Sequence, residues 1–336
     1  MRVGCRLSPS LALVKYWGKR EEGRNLPATP SLAVTLGGLE TVTAVSFSAQ
    51  ESDRVRVEGR EVEASRFTAF FDEARRLLGT KSHFEAESRN GFPGGAGFAS
   101  SSSGFAALTL ALARLVETAE TRSAPPIRVL SSLARLGSAS AARAVFGGFS
   151  LLEAGAESAE AFLPASHWPE LRVVAAVVSR AEKPFSSRSA MSTTRETSPY
   201  YEEWLRDAPR LFARAKEALL HRDLEALGSV ARLSYARMHA SALAADPPLL
   251  YWLPASVALI HACAELRASG IGAWETMDAG PQVKVLCLVP ELEAVKVGLR
   301  RAVPGIELLT AAPGPEPSYF SLEEGQSLPE PGTGLA

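Results

Sequence analysis

The segment from Phe92 to Phe105 is rich in glycine and serine and is the strongest candidate for chemistry in the sequence. Glycine has no Cβ, so several backbone N–H groups can turn toward one anion. The serines fall where a helix should begin, and the free N–H groups and dipole of a helix N-terminus favour phosphate. Their hydroxyls could also help to hold Mg²⁺. The composition favours a phosphate-binding loop over a flexible linker with a serine N-cap, and it matches neither the Walker nor the Rossmann motif.

A basic and aromatic segment, Leu-Val-Lys-Tyr-Trp-Gly-Lys-Arg, occupies residues 13–20 directly after a predicted strand. Lysine and arginine can hold phosphates, and the hydroxyl of Tyr16 can donate a hydrogen bond. The alternative is a solvated basic loop whose aromatic side chains pack on the core. Taken alone, the segment slightly favours that alternative.

A run of small residues surrounds Ser140 and Arg143 in the segment 137–148. These two residues are three apart, so they share a face if the segment is helical. Small neighbours would let Arg143 enter a narrow site and bind a carboxylate through two hydrogen bonds. A close-packed helix start with a surface arginine explains the pattern equally well.

Two further segments could contribute polar groups. Asp278 lies at the end of a predicted strand, before a Gly-Pro turn that would hold it facing a cleft; it could equally cap its own loop. Arg188 lies among the serines that open a predicted helix near residue 186, where an anion site or a plain N-cap cluster would fit. Each segment, taken alone, favours the simpler reading.

The elements that must position these residues form an α+β pattern. Short strands dominate the first 180 residues, beginning with Val3–Ala12, and the run 171–178 is apolar enough to be a buried strand. Helical periodicity dominates from Ser189 to Ala268, and a β-hairpin is expected around Asp278. We therefore expect an N-terminal lobe over residues 1–180 and a C-terminal lobe over residues 181–312. The proline- and glycine-rich residues 313–336 should form a flexible tail.

The composition excludes several classes of protein. A net charge of -1 over 336 residues, without a basic stripe, argues against a nucleic-acid partner. Cys5, Cys263 and Cys287 show neither metal-ligand spacing nor a disulfide framework, and no histidine pair has metal spacing. No apolar run reaches the ~18 residues of a membrane span, and no signal-peptide core is present. These features predict a cytoplasmic protein without a membrane partner.

Together the motifs resemble the mevalonate diphosphate decarboxylases of the GHMP kinase superfamily. The matching segments follow the family's order: Leu13–Arg20, Asn25–Leu36, Ala96–Leu108, Gly137–Phe149, Ser186–Ser198 and Met277–Pro281. Lys-Tyr-Trp-Gly-Lys-Arg combined with Asp-Ala-Gly-Pro is specific to this branch. The resemblance implies the two-lobed GHMP kinase fold, with an N-terminal ribosomal protein S5 domain 2-like lobe and a C-terminal ferredoxin-like lobe. It also implies a homodimer with the active site between the lobes.

The resemblance further implies a reaction of isoprenoid biosynthesis. ATP, with Mg²⁺, phosphorylates the 3-hydroxyl of mevalonate 5-diphosphate, and loss of phosphate and CO₂ gives isopentenyl diphosphate. The resemblance implies no protein metal site. The matching catalytic residues are Asp278, Arg143 and Lys15. The substrate-binding residues are Tyr16, Lys19, Ser138, Ser140, Arg143, Ser187 and Arg188, and the ATP-binding residues are Gly97, Ala99, Ser100, Ser101 and Ser102.

Two positions depart from the family pattern, because Thr29 and Gln282 stand where asparagine is usual. Three alternative functions stay open: a decarboxylase of mevalonate 5-phosphate, a mevalonate 3-kinase, and a non-catalytic binding protein on the same fold. Asp278 and Arg143 together favour decarboxylation over a kinase that stops after phosphorylation. A non-catalytic relative would be expected to lack one of these motifs, and this chain keeps them all.

Overall fold

A computed structural model describes residues 1–21, 23–92, 100–120, 123–181, 184–323 and 325–335. The strands, in chain order, are β1 Arg2–Leu7, β2 Ser10–Val14, β3 Lys19–Glu21, β4 Leu26–Pro27, β5 Ser31–Gly37, β6 Thr41–Phe47, β7 Arg54–Val57, β8 Arg60–Val62, β9 Phe84–Asn90, β10 Phe149–Leu152, β11 Glu160–Leu163, β12 Leu171–Val177, β13 Trp274–Thr276, β14 Val283–Leu288, β15 Glu307–Pro313 and β16 Ser318–Leu322. The helices are α1 Thr68–Leu78, α2 Ser100–Glu120, α3 Ile127–Gly137, α4 Ala141–Ala144, α5 Ser187–Thr197, α6 Tyr201–Leu220, α7 Leu224–Leu243, α8 Pro254–Ala268 and α9 Leu292–Ala302. Short 3-10 turns occupy Ala64–Phe67, Ala165–His167 and Val289–Glu291.

The first sheet has the strand order β16-β1-β6-β9-β7-β8. Helix α2 packs on its strands β1, β6 and β9, and α1, α3 and α4 pack around α2. Helix α1 is amphipathic, and its buried Phe70 and Phe71 pack into the same core as Phe84 of β9. Burying a phenylalanine side chain contributes roughly 1.5–3 kcal/mol, so this aromatic cluster fixes the helix on the sheet. Gly79 ends α1 in the left-handed conformation, with φ 71°, which a residue without Cβ adopts readily.

The second sheet has the order β11-β10-β5-β15-β12-β14-β13, and β2 also pairs with β5. It runs through both halves of the chain, because β15 pairs with β5 at Ala312↔Gly37 and Pro313↔Leu36. The apolar run of β12 is buried between β14 and β15, as its composition predicts. This sheet positions the site, since residue 15 follows the end of β2 and residue 278 lies between β13 and β14.

Helices α6 and α7 hold the basic segment in place. Helix α7 packs on β2 and β13, and α6 packs on β2 and β5. The indole Nε1 of Trp204, on α6, donates to the carbonyl oxygen of Trp17 at 2.9 Å. Both tryptophans are buried. In the described part of the chain, none of the helices combines the length and apolar character that crossing a membrane requires.

The expectation of a flexible tail over residues 313–336 is wrong for the residues that the structure describes. Strand β16 pairs antiparallel with β1, and Leu328 is 3% exposed. Gly4 makes the pairing possible, because the ring of Phe320 occupies the space that a Cβ on Gly4 would fill. Thr333 then forms an isolated bridge with Leu39. Proline and glycine content therefore concealed a short strand with good β-forming residues.

Two other expectations change in detail. The single strand expected over Val3–Ala12 is two strands, β1 and β2, which belong to different sheets. Strand β12 lies inside the expected N-terminal lobe of residues 1–180, but it pairs with β14 and β15 from the C-terminal part. The change of sheet between β1 and β2 is what carries residues 15–19 into the space between the two halves.

Candidate active site

A cavity of about 820 Å³ lies where these elements meet. Most of the residues that the sequence marked for chemistry line it: Lys15, Tyr16, Lys19, Ser101, Ser138, Ser140, Arg143, Ser187, Arg188 and Asp278. Ser100 and Ser102 stand beside Ser101 at the start of α2 but are not among the lining residues. Gly97 and Ala99 lie outside the described residues.

Asp278 is held between two buried lysines. Lys15 donates from Nζ to Asp278 Oδ1 at 2.7 Å, and Lys284 donates from Nζ to Oδ2 at 3.2 Å. The lysine side chains are 1% and 2% exposed, whereas that of Asp278 is 30% exposed. Lys15 is fixed further, since its Nζ donates to the carbonyl oxygen of Ala12 and its backbone N–H to Ser234 Oγ. The carboxylate therefore reaches the cavity from a rigid setting.

The charges around Asp278 keep it ionised. Burial by itself raises the pKa of this carboxyl group, but attraction to Lys15 and Lys284, with their hydrogen bonds, outweighs it and holds the pKa well below the usual range. Burial also lowers the pKa of Lys15 to about 8, against the opposing effect of Asp278. The nearby cations Lys284 and Arg143 contribute to this lowering of the Lys15 pKa. Asp278 is thus an anion at neutral pH, and its neighbours Lys15 and Arg143 are cations.

His239 supports the backbone of Asp278 from α7. Its Nε2 lies 3.1 Å from the carbonyl oxygen of Asp278, and because that oxygen can only accept, Nε2 carries the proton. Burial, followed by the charge of Lys15, lowers the pKa of His239 to about 4. The ring packs against Tyr251 and Trp252, with centroids 5.9 and 5.4 Å away. His239 is therefore a neutral, fixed donor rather than a proton carrier.

Arg143 is a buried cation with hydrogen-bonding capacity to spare. It is 2% exposed on α4, and its Nη1 donates to Ser31 Oγ. Its Nε has no hydrogen-bond partner among the described residues. Burial lowers its pKa to about 10, and Asp278 and Tyr16 oppose the fall, so it stays charged at neutral pH. A buried guanidinium with a spare donor beside a cavity suits a carboxylate ligand.

Another part of the wall presents donors suited to a second anion. The hydroxyl of Tyr16 is buried without a hydrogen-bond partner in the described chain. Ser138 and Ser140 face each other with their Oγ atoms 3.2 Å apart. Arg188 is exposed in the first turn of α5, and Ser186 caps that helix by accepting from the N–H of Ser189 at 3.1 Å. Hydroxyls, a cation and a helix N-terminus favour a phosphate here.

The start of α2 has donors that suit an anion. Ser102 Oγ is fully buried and lacks a hydrogen-bond partner within the described residues. It belongs to the first turn of a 21-residue helix, whose free N–H groups attract anions. No group of three His, Cys, Asp or Glu residues in the described chain could hold a metal ion by itself. A Mg²⁺ ion bound beside a phosphate there would be held in part by a serine hydroxyl.

Two family models match the chain. The diphosphomevalonate decarboxylase-like N-terminal domain matches residues 8–163, and the mevalonate 5-diphosphate decarboxylase C-terminal domain matches residues 173–316. The chain belongs to the diphosphomevalonate decarboxylase family. The family resemblance expected from the motifs is thereby confirmed.

Relatives cover most of both chains. The diphosphomevalonate decarboxylase of Debaryomyces hansenii is 33% identical over 302 residues, which is 82% of this chain and 76% of that protein. The crystal structure of mevalonate diphosphate decarboxylase from Staphylococcus aureus matches with a TM-score of 0.88 and 31% identity, over 95% of this chain and 98% of that one. A structure described as MDDEF in complex with MVAPP, AMPPCP and magnesium gives a TM-score of 0.87 and 34% identity, over 96% and 99%. The two-lobed α+β fold of this family is confirmed.

The two departures from the family pattern lie outside the cavity lining of the described chain. Gln282 is 1% exposed, and its Oε1 accepts from the backbone N–H groups of Val178 and Ser179 at 2.6 and 3.2 Å. Thr29 is fully buried and accepts from the N–H of Trp17 at 3.3 Å. Both side chains therefore hold backbone segments beside the site, where they do not face a ligand.

Sequence reasoning missed three residues that belong to this decarboxylase-family site. Lys284 was hidden inside the apolar run of β14, although a lysine in a buried strand is itself a signal. His239 belongs to none of the motifs in the sequence, and it contacts the Asp278 backbone. Arg66 lines the cavity from the turn before α1, where the sequence shows only an amphipathic helix start. These three residues come near the site through contacts between distant parts of the chain, which their local sequence does not show.

Proposed function

We propose that this chain decarboxylates mevalonate 5-diphosphate in an ATP- and Mg²⁺-dependent reaction that releases ADP, phosphate and CO₂ and forms isopentenyl diphosphate. One observation carries the proposal. An aspartate held in its ionised form and a buried arginine with a spare donor line the same cavity. A kinase for an alcohol without a carboxylate needs only the first of these groups, whereas a substrate that carries its own carboxylate needs the second as well.

The first chemical step is phosphoryl transfer to the 3-hydroxyl. We assign Asp278 to accept a hydrogen bond from that hydroxyl and so to orient its oxygen toward the γ-phosphate. With a pKa well below the usual range, Asp278 is a weak base. It therefore takes the proton only as the phosphoryl group arrives, which suits a loose transition state in which positioning dominates. Lys15, beside the same carboxylate, stabilises negative charge on the transferring group.

The second step breaks a carbon–carbon bond. As the 3-phosphate departs, positive charge develops at C3. The bond between the carboxylate carbon and C2 then breaks, and its electron pair forms the C2–C3 double bond. Arg143 holds the carboxylate in place for this step, because a bidentate guanidinium fixes the plane of its partner. The CO₂ that forms is neutral and so loses its attraction to Arg143.

The remaining residues hold the anionic ends of the two substrates. We assign Tyr16, Lys19, Ser138, Ser140, Ser187 and Arg188 to the substrate, with its diphosphate near the N-terminus of α5. We assign Gly97, Ala99, Ser100, Ser101 and Ser102 to the ATP phosphates. When bound, Mg²⁺ would neutralise phosphate charge, and Ser102 is the residue that would help to hold it. Clustered donors of this kind are needed because both substrates are polyanions.

A paired assay tests the substrate and the reaction together. The purified protein is given ATP, Mg²⁺ and either mevalonate 5-diphosphate or mevalonate 5-phosphate, and ADP and CO₂ are both measured. We expect equal amounts of ADP and CO₂ from the diphosphate. ADP without CO₂ would identify a 3-kinase, and a strong preference for the monophosphate would identify the other decarboxylase. Either result would refute the proposal.

Substitution of the aspartate tests its assigned role. Asp278→Ala should abolish turnover while ATP still binds in calorimetry, since the proposed nucleotide loop lies on a different element. Near-normal turnover in this variant would remove Asp278 from the mechanism.

We also propose that the protein is a cytoplasmic homodimer, on the basis of the family resemblance and of its cysteine usage. Light scattering of the purified protein at micromolar concentration tests the assembly. Twice the chain mass of 35.7 kDa is expected, and a single chain mass would contradict the dimer.

A further inference from the structure

Lys284 stands behind the proposed catalytic carboxylate. It lies in β14, is 1% exposed as a residue, and its Nζ donates to Asp278 Oδ2 at 3.2 Å. Lys15, which bonds the other carboxylate oxygen, lines the cavity, whereas Lys284 does not. A bound substrate can therefore contact Lys15 but leaves the bond from Lys284 to Asp278 in place.

Stability alone does not account for a lysine at this position. An ammonium group loses favourable hydration when it is buried, and a well-packed apolar side chain in place of a buried ion is often neutral or stabilising. Leu286, two residues along the strand and on the same face, and Ala175, paired with Lys284 in β12, are buried and apolar, so the position offers such packing. A role for the lysine at this position comes from its positive charge, which acts on the carboxylate of Asp278.

We propose that Lys284 is a positioning residue that fixes the orientation and the negative charge of Asp278 for phosphoryl transfer, without touching the substrate. The inference rests on the proposed function, because it assigns Lys284 to the same reaction. Two fixed hydrogen bonds, one to each oxygen, leave the carboxylate a single orientation. A carboxylate that rotates would present the 3-hydroxyl to the γ-phosphate in a productive geometry for only part of the time.

Among the residues that the structure describes, four charged or titratable groups face Asp278 from different elements. Lys15 approaches from the end of β2, Lys284 from β14, Arg143 from α4 and His239 from α7. His239 is neutral above a pKa of about 4 and so adds no charge in the working range. The anionic substrate shares the charges of Lys15 and Arg143, because both line its cavity. Lys284 does not line the cavity, so its positive charge stays paired with Asp278 when the substrate binds.

The test compares Lys284→Met and Lys284→Arg with the wild type, measuring kcat and KM for mevalonate 5-diphosphate at pH 7. Methionine keeps the length and removes the charge. We expect kcat to fall about tenfold to a hundredfold, with KM changed less than about twofold. Arginine should restore most of kcat, because it keeps a positive charge beside Asp278.

Val285→Ala is the matched control, since it disturbs the same strand without changing charge. It should lower the melting temperature and change kcat less than about twofold. A Lys284→Met protein with wild-type kcat overturns the inference, as does one whose only change is a raised KM. If Lys284→Met does not fold, Lys284→Gln replaces it. If that variant also fails to fold and Lys284→Arg is inactive, the role is structural and the inference is refuted. Absence of turnover in the wild type would instead refute the proposed function.

Discussion

Replacing Asp278 by asparagine should destabilise the protein in a way that depends on pH. Asparagine keeps the shape of the side chain but removes the charge that neutralises Lys15 and Lys284. Lys15 is 1% exposed and already has its pKa lowered to about 8 by burial. Without the carboxylate, we expect this pKa to fall to about 5–6, the range seen for lysines buried without a partner.

The size of the effect follows from proton linkage. Unfolded Lys15 keeps its proton up to its ordinary pKa of 10.5. Between about pH 6 and 8, folded wild type holds the proton and the folded variant has lost it, so the variant gains stability relative to wild type as pH rises. Each pH unit is worth about 1.4 kcal/mol. The deficit from Lys15 is therefore about 2.7 kcal/mol at pH 6, about 1.4 kcal/mol at pH 7 and close to zero above pH 8.

Urea unfolding of wild type and Asp278→Asn at pH 6, 7 and 8 measures this deficit. Asp207→Asn is the matched control, because Asp207 pairs with Arg210 and Arg237 and arginine does not titrate in this range. The difference between wild type and the control should be the same at all three values. A difference for Asp278→Asn that is equally flat from pH 6 to 8 would refute the electrostatic account of the site.

Three other substitutions separate binding from stability. Arg143→Lys removes the planar fork that we assign to the substrate carboxylate, and steady-state kinetics should show a loss of about 2 kcal/mol, or roughly thirtyfold in kcat/KM. Gln282→Asn shortens the acceptor of two buried N–H groups, so urea unfolding should show a loss of about 1–3 kcal/mol with KM unchanged. Ser102→Ala removes a buried hydroxyl without a partner, so the melting temperature without ligand should hold or rise while the KM for ATP increases. A lower melting temperature with unchanged KM would contradict that last role.

The sequence predicted those parts of the site whose residues are close together in the chain. The segment at residues 13–20, the turn at Asp278 and the small-residue run around Arg143 each fit a plain structural role when taken alone, and only their combination and order indicated one family. These segments lie far apart in the chain and meet in one cavity only after folding. Residues 15 and 278 come together only through strand pairing in the second sheet. Periodicity describes each strand separately, so it could indicate the strands without their order.

Lys284 and the last strand were missed for different physical reasons. Lys284 sits in an apolar run whose pattern predicts a buried strand, and nothing local shows that the turn brings Asp278 within 3.2 Å of its ammonium group. Residues 318–322 follow a stretch rich in proline and glycine, which describes a chain with little capacity to bury surface. That strand is stabilised by an edge supplied from the opposite end of the chain, which composition does not report.

The pairing of β1 with β16 has a consequence for how the protein is made. Cys5 is opposite Tyr319, so the first strand waits for a partner translated about 300 residues later, or roughly 15–60 s at ribosomal rates. Until then the first sheet ends in an unpaired row of backbone groups, which can recruit a strand from a second nascent chain. The N-terminal lobe therefore completes its sheet only after nearly all of the chain has emerged. Slower elongation prolongs the exposure of this edge, and chaperones that cover strand edges would protect the nascent chain.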